Sequence, residues 1–557
     1  MHRGLARLFN ALMVGVLIIT LSFIAHAQFR AALQGAVTDS SGGAVSGATV
    51  TLTNNETGRT QQITTNEDGF YRFSSLAPGK YNLTVEQGNF KKQTLEDINV
   101  AAEITQGVDV ALEVGGITET VTVNDEATTL ETENASVQKT IGTQEIRNLP
   151  QNGRDPFELL RLAPGVFGDG ARGSGNGNAV NLPNTPGPGG SNNSIFQSEN
   201  VPQISAAGQR VTANNYQLDG VSINSLQQGG ASVITPNQES VKEIVISSSA
   251  FSAEDGRNSG AQVRAVSQNG TNEFHGSALF KYNDPGWNAF NKFTGIPGST
   301  VSAPQRVEQR YKTFGGSIGG PIIKNRFFFF GSYEGLRNNS NNTYESYIET
   351  AQYRQQVINR RPGSIAATIF QTPGIEPRVA GFLPRTCAQT FGGAAAARCR
   401  DVPGGLDLGS IAGTRGVYLP FGPNVGQVDI GGGFDGVPDV VYALLNDPTR
   451  QRGNQFNFRF DYNLNETNQL ALSSYVTRRR DVSNDRGSRS RPGSDIIDAP
   501  LPFVVTGILI SNLNSTLVNE FRTNFTRFSS NQVKASAETN FGIPRLEVEG
   551  LPFDRIR

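Results

Sequence analysis

From Ala31 to Val114 apolar and polar positions alternate with a period of two. Ala48, Val50 and Leu52 interleave with Thr49, Thr51 and Thr53. Tyr81, Leu83 and Val85 interleave with Asn82, Thr84 and Glu86, and Val108, Val110, Leu112 and Val114 with Asp109, Ala111 and Glu113. Successive side chains of a strand point to opposite faces, so this pattern predicts half-buried strands. Gly42-Gly43, Asn54-Asn55, Asp68-Gly69 and Pro78-Gly79 fall between them. Several short strands with turn residues at that spacing predict a small β-sandwich over 28–114.

The character changes at 115–135, which is polar, acidic and Thr-rich, and predicts a linker. Inside it Glu119, Thr120, Val121, Thr122 and Val123 form a short β-prone run that can add to a partner's sheet edge through main-chain hydrogen bonds. By spacing alone it reads equally as one more strand of the sandwich. Over 136–272 the pattern is mixed. Asp155 to Leu162 places Pro156 in a first helical turn with Asp155 as its cap and Phe157, Leu160 and Leu162 on an apolar side, predicting a short helix. Gly168 to Pro202 is rich in Gly, Asn and Pro and predicts a mobile loop. Tyr216 to Asn224 reads as strand, turn, strand, and Val241 to Ser247 as a strand.

Beyond Asn272 the alternating segments approach membrane-strand length. In Gln455 to Leu464, Phe456, Phe458, Phe460, Tyr462 and Leu464 share one face, and Gln455, Asn457, Arg459, Asp461 and Asn463 the other. Five apolar residues opposite a strongly polar face suit lipid outside and water inside. Asn465 to Asn468 predicts a tight turn and Gln469 to Val476 its return strand. A further turn is expected at Pro321 to Asn325, with a strand from Arg326 to Tyr333. Leu517, Phe521, Phe525 and Phe528 fit a helical period in isolation, but their neighbours favour a strand. Long polar stretches, above all Asn338 to Asp447, alternate with short turns, an asymmetry typical of outer-membrane barrels.

Three features of composition sharpen this. Arg3 and Arg7 precede the uncharged run Ala11 to Ala25, and Ala25-His26-Ala27 is an A-x-A site, so 1–27 reads as a secretory signal cleaved between Ala27 and Gln28. The remaining chain holds a single histidine, His275, which nearly excludes His-based catalysis and His-cluster metal sites. With 48 basic and 49 acidic residues the net charge is -1, and no basic field exists to collect nucleic acid. Cys387 and Cys399 lie in a loop-like stretch of a chain bound for an oxidising compartment, which favours a local disulfide between them.

Two stretches carry a family resemblance. GAVTDSSGGAVSGATVTLTNNETGRTQQITTNEDGFYRFSSLAPGKYNLTV (35–85) resembles the carboxypeptidase-regulatory-like domain, a non-catalytic transthyretin-like sandwich. LPQNGRDPFELLRLAPGV (149–166), NNYQLDGVSIN (214–224), ESVKEIVISSSAFSAEDGRNSGAQV (239–263), NGTNEFHGSALFKYND (269–284) and FGGSIGGPIIKNRFFFFGSYEGLR (314–337) are similar, in order, to Oar-like TonB-dependent receptors. The resemblance implies a mainly β chain. It comprises a transthyretin-like sandwich, a mixed α/β plug over 136–272 and the first part of an antiparallel outer-membrane β-barrel with long extracellular loops over 273–557. It implies outer-membrane lipid and the TonB energy-transducing complex as partners, with Glu119 to Val123 as the TonB-contacting box. It also implies a large substrate such as an oligosaccharide, a peptide or a protein. Asp219-Gly220 becomes a plug turn. No cofactor, metal site or catalytic residue is implied. The family barrel has 22 strands, whereas the roughly 285 residues after Asn272 leave room for about eight to twelve at membrane-strand length, and Phe553 to Arg557 (FDRIR) lacks the usual terminal aromatic residue. A partial sequence is therefore expected; the alternative, a complete chain, leaves an open sheet edge that should not insert stably.

Three apparent motifs have no supporting context. Gly168, Gly170 and Gly173 match the letters of a dinucleotide fingerprint without a helix behind them. Gly315, Ser317 and Gly319 match a nucleophile elbow, but Gly320-Pro321 precludes the following helix. Arg478, Arg479 and Arg480, beside Asp481, read as a solvated loop or lumen face. A surface adhesion or matrix-binding protein, holding its partner through the sandwich and loops without transport, is the rival reading.

Overall fold

The computed structural model describes residues 31–115, 120–124, 136–149, 154–170, 195–196, 199, 202–249, 258–287, 308–360, 362–391, 399–409, 417–419, 426–428, 434–484, 490–514 and 517–535. The signal segment with its Ala27/Gln28 cleavage site, the side chains of 119–123 and most of the Gly168–Pro202 loop lie outside them.

The alternating N-terminal positions form two facing sheets. One sets Ala32–Asp39 between Phe70–Phe73 and the pieces Thr105–Gly107 and Val110–Leu112. The other runs Thr60–Thr64, Thr49–Asn54, Gly79–Glu86, Lys92–Val100 and Thr120–Asn124. Val50, Leu52, Leu83 and Val85 fill the space between the sheets, and their threonine neighbours face out. Gly35 is required here, because a Cβ at that position would lie 1.8 Å from the Val108 carbonyl oxygen. The 115–135 stretch is not wholly a linker: Thr120–Asn124 pairs in parallel with Lys92–Val100, from Lys92↔Thr120 to Glu96↔Asn124. Residues 120–123 of the run singled out at 119–123 are thus part of an edge strand of the sandwich, and Glu119 lies outside the described residues.

The plug is built on a five-stranded sheet in the order Val137–Gly142, Val241–Ser249, Gln262–Ser267, Asn215–Leu218, Val221–Ser222. Asp155 caps the following turn, its Oδ1 accepting from the Phe157 amide at 2.9 Å. That element, Pro156–Leu162, is a 3-10 helix, and Leu162 is exposed rather than on the buried side with Phe157 and Leu160.

The wall consists of seven consecutive antiparallel strands among the described residues: His275–Asn283, Glu308–Ile323, Phe327–Glu349, Val440–Asn463, Asn468–Asn484, Phe503–Asn512 and Val518–Arg527. It is an open arc, and five short loop strands extend its sheet. Pro321 lies inside a strand, so the turn expected at 321–325 is confined to the residues before Phe327. The polar stretch 338–447 is not all loop, because its two ends pair residue by residue from Asn338↔Gln451 to Glu349↔Val440 and carry the wall beyond the core. Gly315, Ser317 and Gly319 are on a continuous strand, not a strand-to-helix elbow. None of the described helices is long and apolar enough to cross a membrane, which says nothing of crossing by strands.

Burial along the wall is inverted relative to a soluble sheet. Phe458 and Phe460 are 50% and 40% exposed, while Gln455 and Asn457 between them and their neighbours are fully buried. The register carries this face across the arc: Phe329 opposes Phe460, which opposes Leu472, while Leu509 opposes Phe521. An apolar outer face with a polar inner face is what lipid on one side requires. The inner face meets the plug, not only the water expected from the sequence.

Candidate functional site: the plug seat and the outer module

The plug is seated in the wall by buried charge. Asp219 and Gly220 both adopt left-handed backbone conformations, φ 51° and 74°, and turn the chain between Leu218 and Val221. This aims the fully buried Asp219 carboxylate at the wall. It accepts from the Ser267 amide and hydroxyl at 2.9 and 2.8 Å and from the Ser473 hydroxyl at 2.9 Å. Arg459 approaches it at 3.4 Å, donates to Ser267 Oγ at 2.7 Å, and grips Asp461 with two further hydrogen bonds of 2.9 and 2.8 Å. Charge-assisted bidentate bonds of this kind are the strong ones, and they offset the desolvation of both partners. Arg522 closes the turn from the other side, donating to the Gly220 carbonyl oxygen at 3.2 Å. A Cβ on residue 220 would lie 1.6 Å from its guanidinium nitrogen, so the turn needs glycine for space as well as for backbone angle.

A second cluster uses the start of the 3-10 helix. Arg154, itself at φ 58°, donates to wall residue Glu334 at 3.1 Å and to Glu239 at 3.3 Å. Glu239 also meets Arg147 at 3.3 Å and the Ser277 hydroxyl at 2.6 Å. A third contact is made by amides: Gln455 donates to the Thr235 carbonyl oxygen at 2.8 Å. Near it the ring of Phe196 packs so tightly on Gly453 that a Cβ there would lie 2.4 Å away. Of the three arginines at 478–480, Arg479 is not solvated: it pairs with Asp481 at 3.1 Å and Asp498 at 2.8 Å and donates to the Phe196 carbonyl oxygen at 3.3 Å.

The two ends of the wall differ. Short turns, at Asn325 and Asn465 to Asn468, lie beside the sandwich, where Asn272 donates to Asn325 at 2.6 Å and Arg59 to Gln469 at 2.6 Å. At the far end the described residues between 350 and 439 form an outer module. The helices Ala351–Arg360 and Ile365–Gln371, the strand Val379–Phe382, the helix Cys387–Phe391 and the hairpin Cys399–Val402/Gly405–Leu408 stand on the extended Val440–Asn463 strand. A disulfide joins Cys387 to Cys399, with their Cα atoms 5.6 Å apart. The wholly buried Arg491 reaches in from the next loop to Glu349 through two bonds of 2.9 and 2.8 Å and to the Ile375 carbonyl oxygen at 2.7 Å. The module borders an open cavity of about 1060 Å³ lined by Arg354, Phe382, Arg385, Gln389, Asp401 and Tyr442 among others. The Arg385 guanidinium lies 4.4 Å from the Tyr442 ring centroid.

Sequence reasoning found the polar face containing Arg459 and the Asp219-Gly220 turn but not their contact, since 240 positions separate the two residues. It missed Arg154 and Glu334. The only available signal was a charged residue on an otherwise buried strand face and another directly before a helix cap.

Comparison with known proteins agrees with this geometry. The outer membrane beta barrel domain family matches residues 266–553, and the carboxypeptidase regulatory-like domain matches residues 32–113. The TonB-dependent transporter Oar of Myxococcus xanthus is 25% identical over 281 residues, which cover 49% of this chain and 23% of that protein. The chain thus spans about a quarter of the length of that curated relative. Among solved structures, the outer membrane transporter YddB of Escherichia coli has a TM-score of 0.38 at 11% identity, covering 68% of this chain and 37% of that one. The ferric-catecholate import receptor Fiu of E. coli K12 has a TM-score of 0.30 at 12% identity, covering 71% and 50%. A wall with an apolar outer face, a plug inside it and a family match over more than half of the residues have one reading: the chain belongs to the outer membrane beta barrel domain family and resides in the outer membrane.

Proposed function

We propose that this chain is the sandwich, plug and initial barrel portion of a TonB-dependent transporter that moves a large substrate, an oligosaccharide, a peptide or a protein, and that it performs no catalysis. The observation that carries the reading is the inverted wall whose polar face is closed by a separate domain. Buried pairs such as Asp219–Arg459 and Arg154–Glu334 hold a plug in place, and such pairs can be undone only if water or another partner replaces them. The outer module supports substrate capture, because it is braced by a disulfide and a buried arginine around a cavity large enough for several sugar or amino-acid residues. TonB contacts the edge strand that contains residues 120–123, by strand addition, with Glu119 beside it.

The test is uptake by intact cells carrying the gene with its genomic context, with and without TonB, alongside pull-down of the full chain by the periplasmic domain of TonB. Loss of uptake without TonB, together with capture that Val121→Pro abolishes, supports the reading. Retention of surface binding to glycan or protein with no TonB dependence and no capture overturns it in favour of adhesion, for which the braced outer module is also suited.

A further inference from the structure

The sandwich is seated on the plug through contacts that involve the plug's inner strands rather than its rim. Lys242 Nζ lies 2.7 Å from Glu56 of the sandwich and 3.2 Å from Asn269. The neighbouring Glu243 accepts the Ala102 amide of the sandwich at 2.6 Å, and Arg264 lies 3.8 Å from Glu103. The Asn272 amide donates to the Glu56 carbonyl oxygen at 2.9 Å. Around this polar ring Ala102 packs with Val245, Val266, Ile508 and Ile510, so sandwich, plug and wall share one small apolar cluster. Lys242 and Glu243 belong to Val241–Ser249, and Arg264 to Gln262–Ser267, two neighbouring interior strands of the plug sheet. On the sandwich, Thr120–Asn124 is the last strand of its sheet, and among the described residues its outer edge is unpaired.

We infer that the sandwich is a lever on the plug: a partner strand adding to the free edge of Thr120–Asn124 pulls the sandwich as one body, and the Glu56–Lys242, Ala102–Glu243 and Glu103–Arg264 contacts pass that pull to the plug strands Val241–Ser249 and Gln262–Ser267. The inference deepens the TonB reading and rests on it for the source of the force. Its physical basis is that the sandwich has a continuous core of its own and moves as one body, while the plug strands it grips meet the wall through the Asp219–Arg459 and Arg154–Glu334 contacts and through Tyr475, Val504, Ile508 and Ile510. A pull on the sandwich therefore reaches the plug sheet at its middle, not through the 125–135 connection at its end.

The experiment stretches the full chain in a lipid nanodisc between a handle at the N-terminal side of the sandwich and one at Gly363 in the outer module. In the wild type the first rupture should release residues 241–267, a gain of roughly 90 Å of extended chain. In Lys242→Glu that rupture should be preceded at lower force by a step of roughly 40 Å as the sandwich detaches and only 125–135 extend. Combining Lys242→Glu with Glu56→Lys should restore the single large step, which separates a lost contact from a misfolded variant. A 40 Å first step in the wild type, or a wild-type trace from Lys242→Glu, overturns the lever. Binding of the TonB periplasmic domain to the full chain is measured separately: its absence overturns the TonB reading while leaving the mechanical coupling intact, and its presence with uncoupled rupture overturns the lever alone.

Discussion

Glu243 makes the seating of the sandwich depend on pH, with a sign opposite to that of a surface salt bridge. Its carboxyl is enclosed between sandwich and plug, and burial raises its pKa from 4.5 to about 7. The Ala102 amide and Lys242 work against that rise, and Glu103 adds to it. Arg264 lies 3.8 Å from Glu103. Once the sandwich lifts away, the carboxyl meets water and returns toward its ordinary value. The docked state therefore has the higher pKa. Its contribution is fully present below about pH 4.5, declines as pH rises and is lost above about 7. A shift from 4.5 to about 7 corresponds to about 3 kcal/mol in total, at about 1.4 kcal/mol per pH unit within the window. The perturbation is Glu243→Gln, which still accepts the Ala102 amide but cannot ionise. Fluorescent labels at the exposed Ser46 and Thr467 report docking by energy transfer, and urea titrations from pH 4 to 8.5 give its free energy. Wild type should undock more easily as pH rises to 7 and change little beyond, whereas Glu243→Gln should show a flat profile. An equal slope in the variant, or docking that strengthens with rising pH, refutes the assignment.

Arg459→Ala leaves Asp219 and Asp461 buried without their cation, and should lower unfolding stability in detergent by about 3–5 kcal/mol; a loss below about 1 kcal/mol would show that Ser267 and Ser473 suffice. Phe460→Lys puts a charge on the lipid-facing side and should cost about 2–4 kcal/mol of stability in bilayers if it lies near the midplane. The same change should have little effect if that face is wet. Replacing Cys387 and Cys399 together by Ser opens a link across 12 positions and should destabilise the outer module by about 3 kcal/mol. Proteolysis should then begin between 350 and 439 while plug and wall stay protected. Gly453→Ala drives a methyl into Phe196 and should cost about 1–3 kcal/mol, read as increased hydrogen exchange around Phe196.

Much of the fold is legible in the sequence because strands write their two faces as alternate letters. Phe456 to Leu464 shows its outer face directly, and Val50, Leu52, Leu83 and Val85 show the sandwich core. The run Phe327 to Phe330 shows where this fails. Four identical residues carry no alternation, yet Phe328 and Phe330 are buried toward the plug while Phe327 and Phe329 pair with aromatic and apolar neighbours on the outer face. Only the register with Asp461 and Arg459 separates the two sets. Arg479 illustrates a second limit. Within a run of three arginines nothing marks the middle one as structural, because Asp498 and the Phe196 carbonyl oxygen that hold it come from elsewhere in the chain. The strand at 120–124 is a third case. Its run of alternating Thr and Val reads as a strand of the sandwich as well as a partner-binding segment, and the pairing with Lys92–Val100 settles the first.

The wall and the plug also explain each other. A strand with Gln455, Asn457, Arg459 and Asp461 on one face and phenylalanines on the other cannot be buried on both sides by apolar material, because each enclosed polar group without a partner costs about 1–3 kcal/mol, and an uncompensated charge more. Lipid suits one face, and on the other the plug supplies partners to Gln455 and Arg459. The plug is bound by the reciprocal rule, since Asp219, Glu239 and Arg154 are buried and have their partners partly or wholly on the wall. Neither surface can be left dry and unpartnered, so the two domains cannot separate into a vacant lumen. Any movement of the plug has to admit water, or a substrate with comparable hydrogen-bonding capacity, as the contacts break. On the proposed reading, whatever enters the lumen has to replace the hydrogen bonds that Asp219, Glu239 and Arg154 make to the wall.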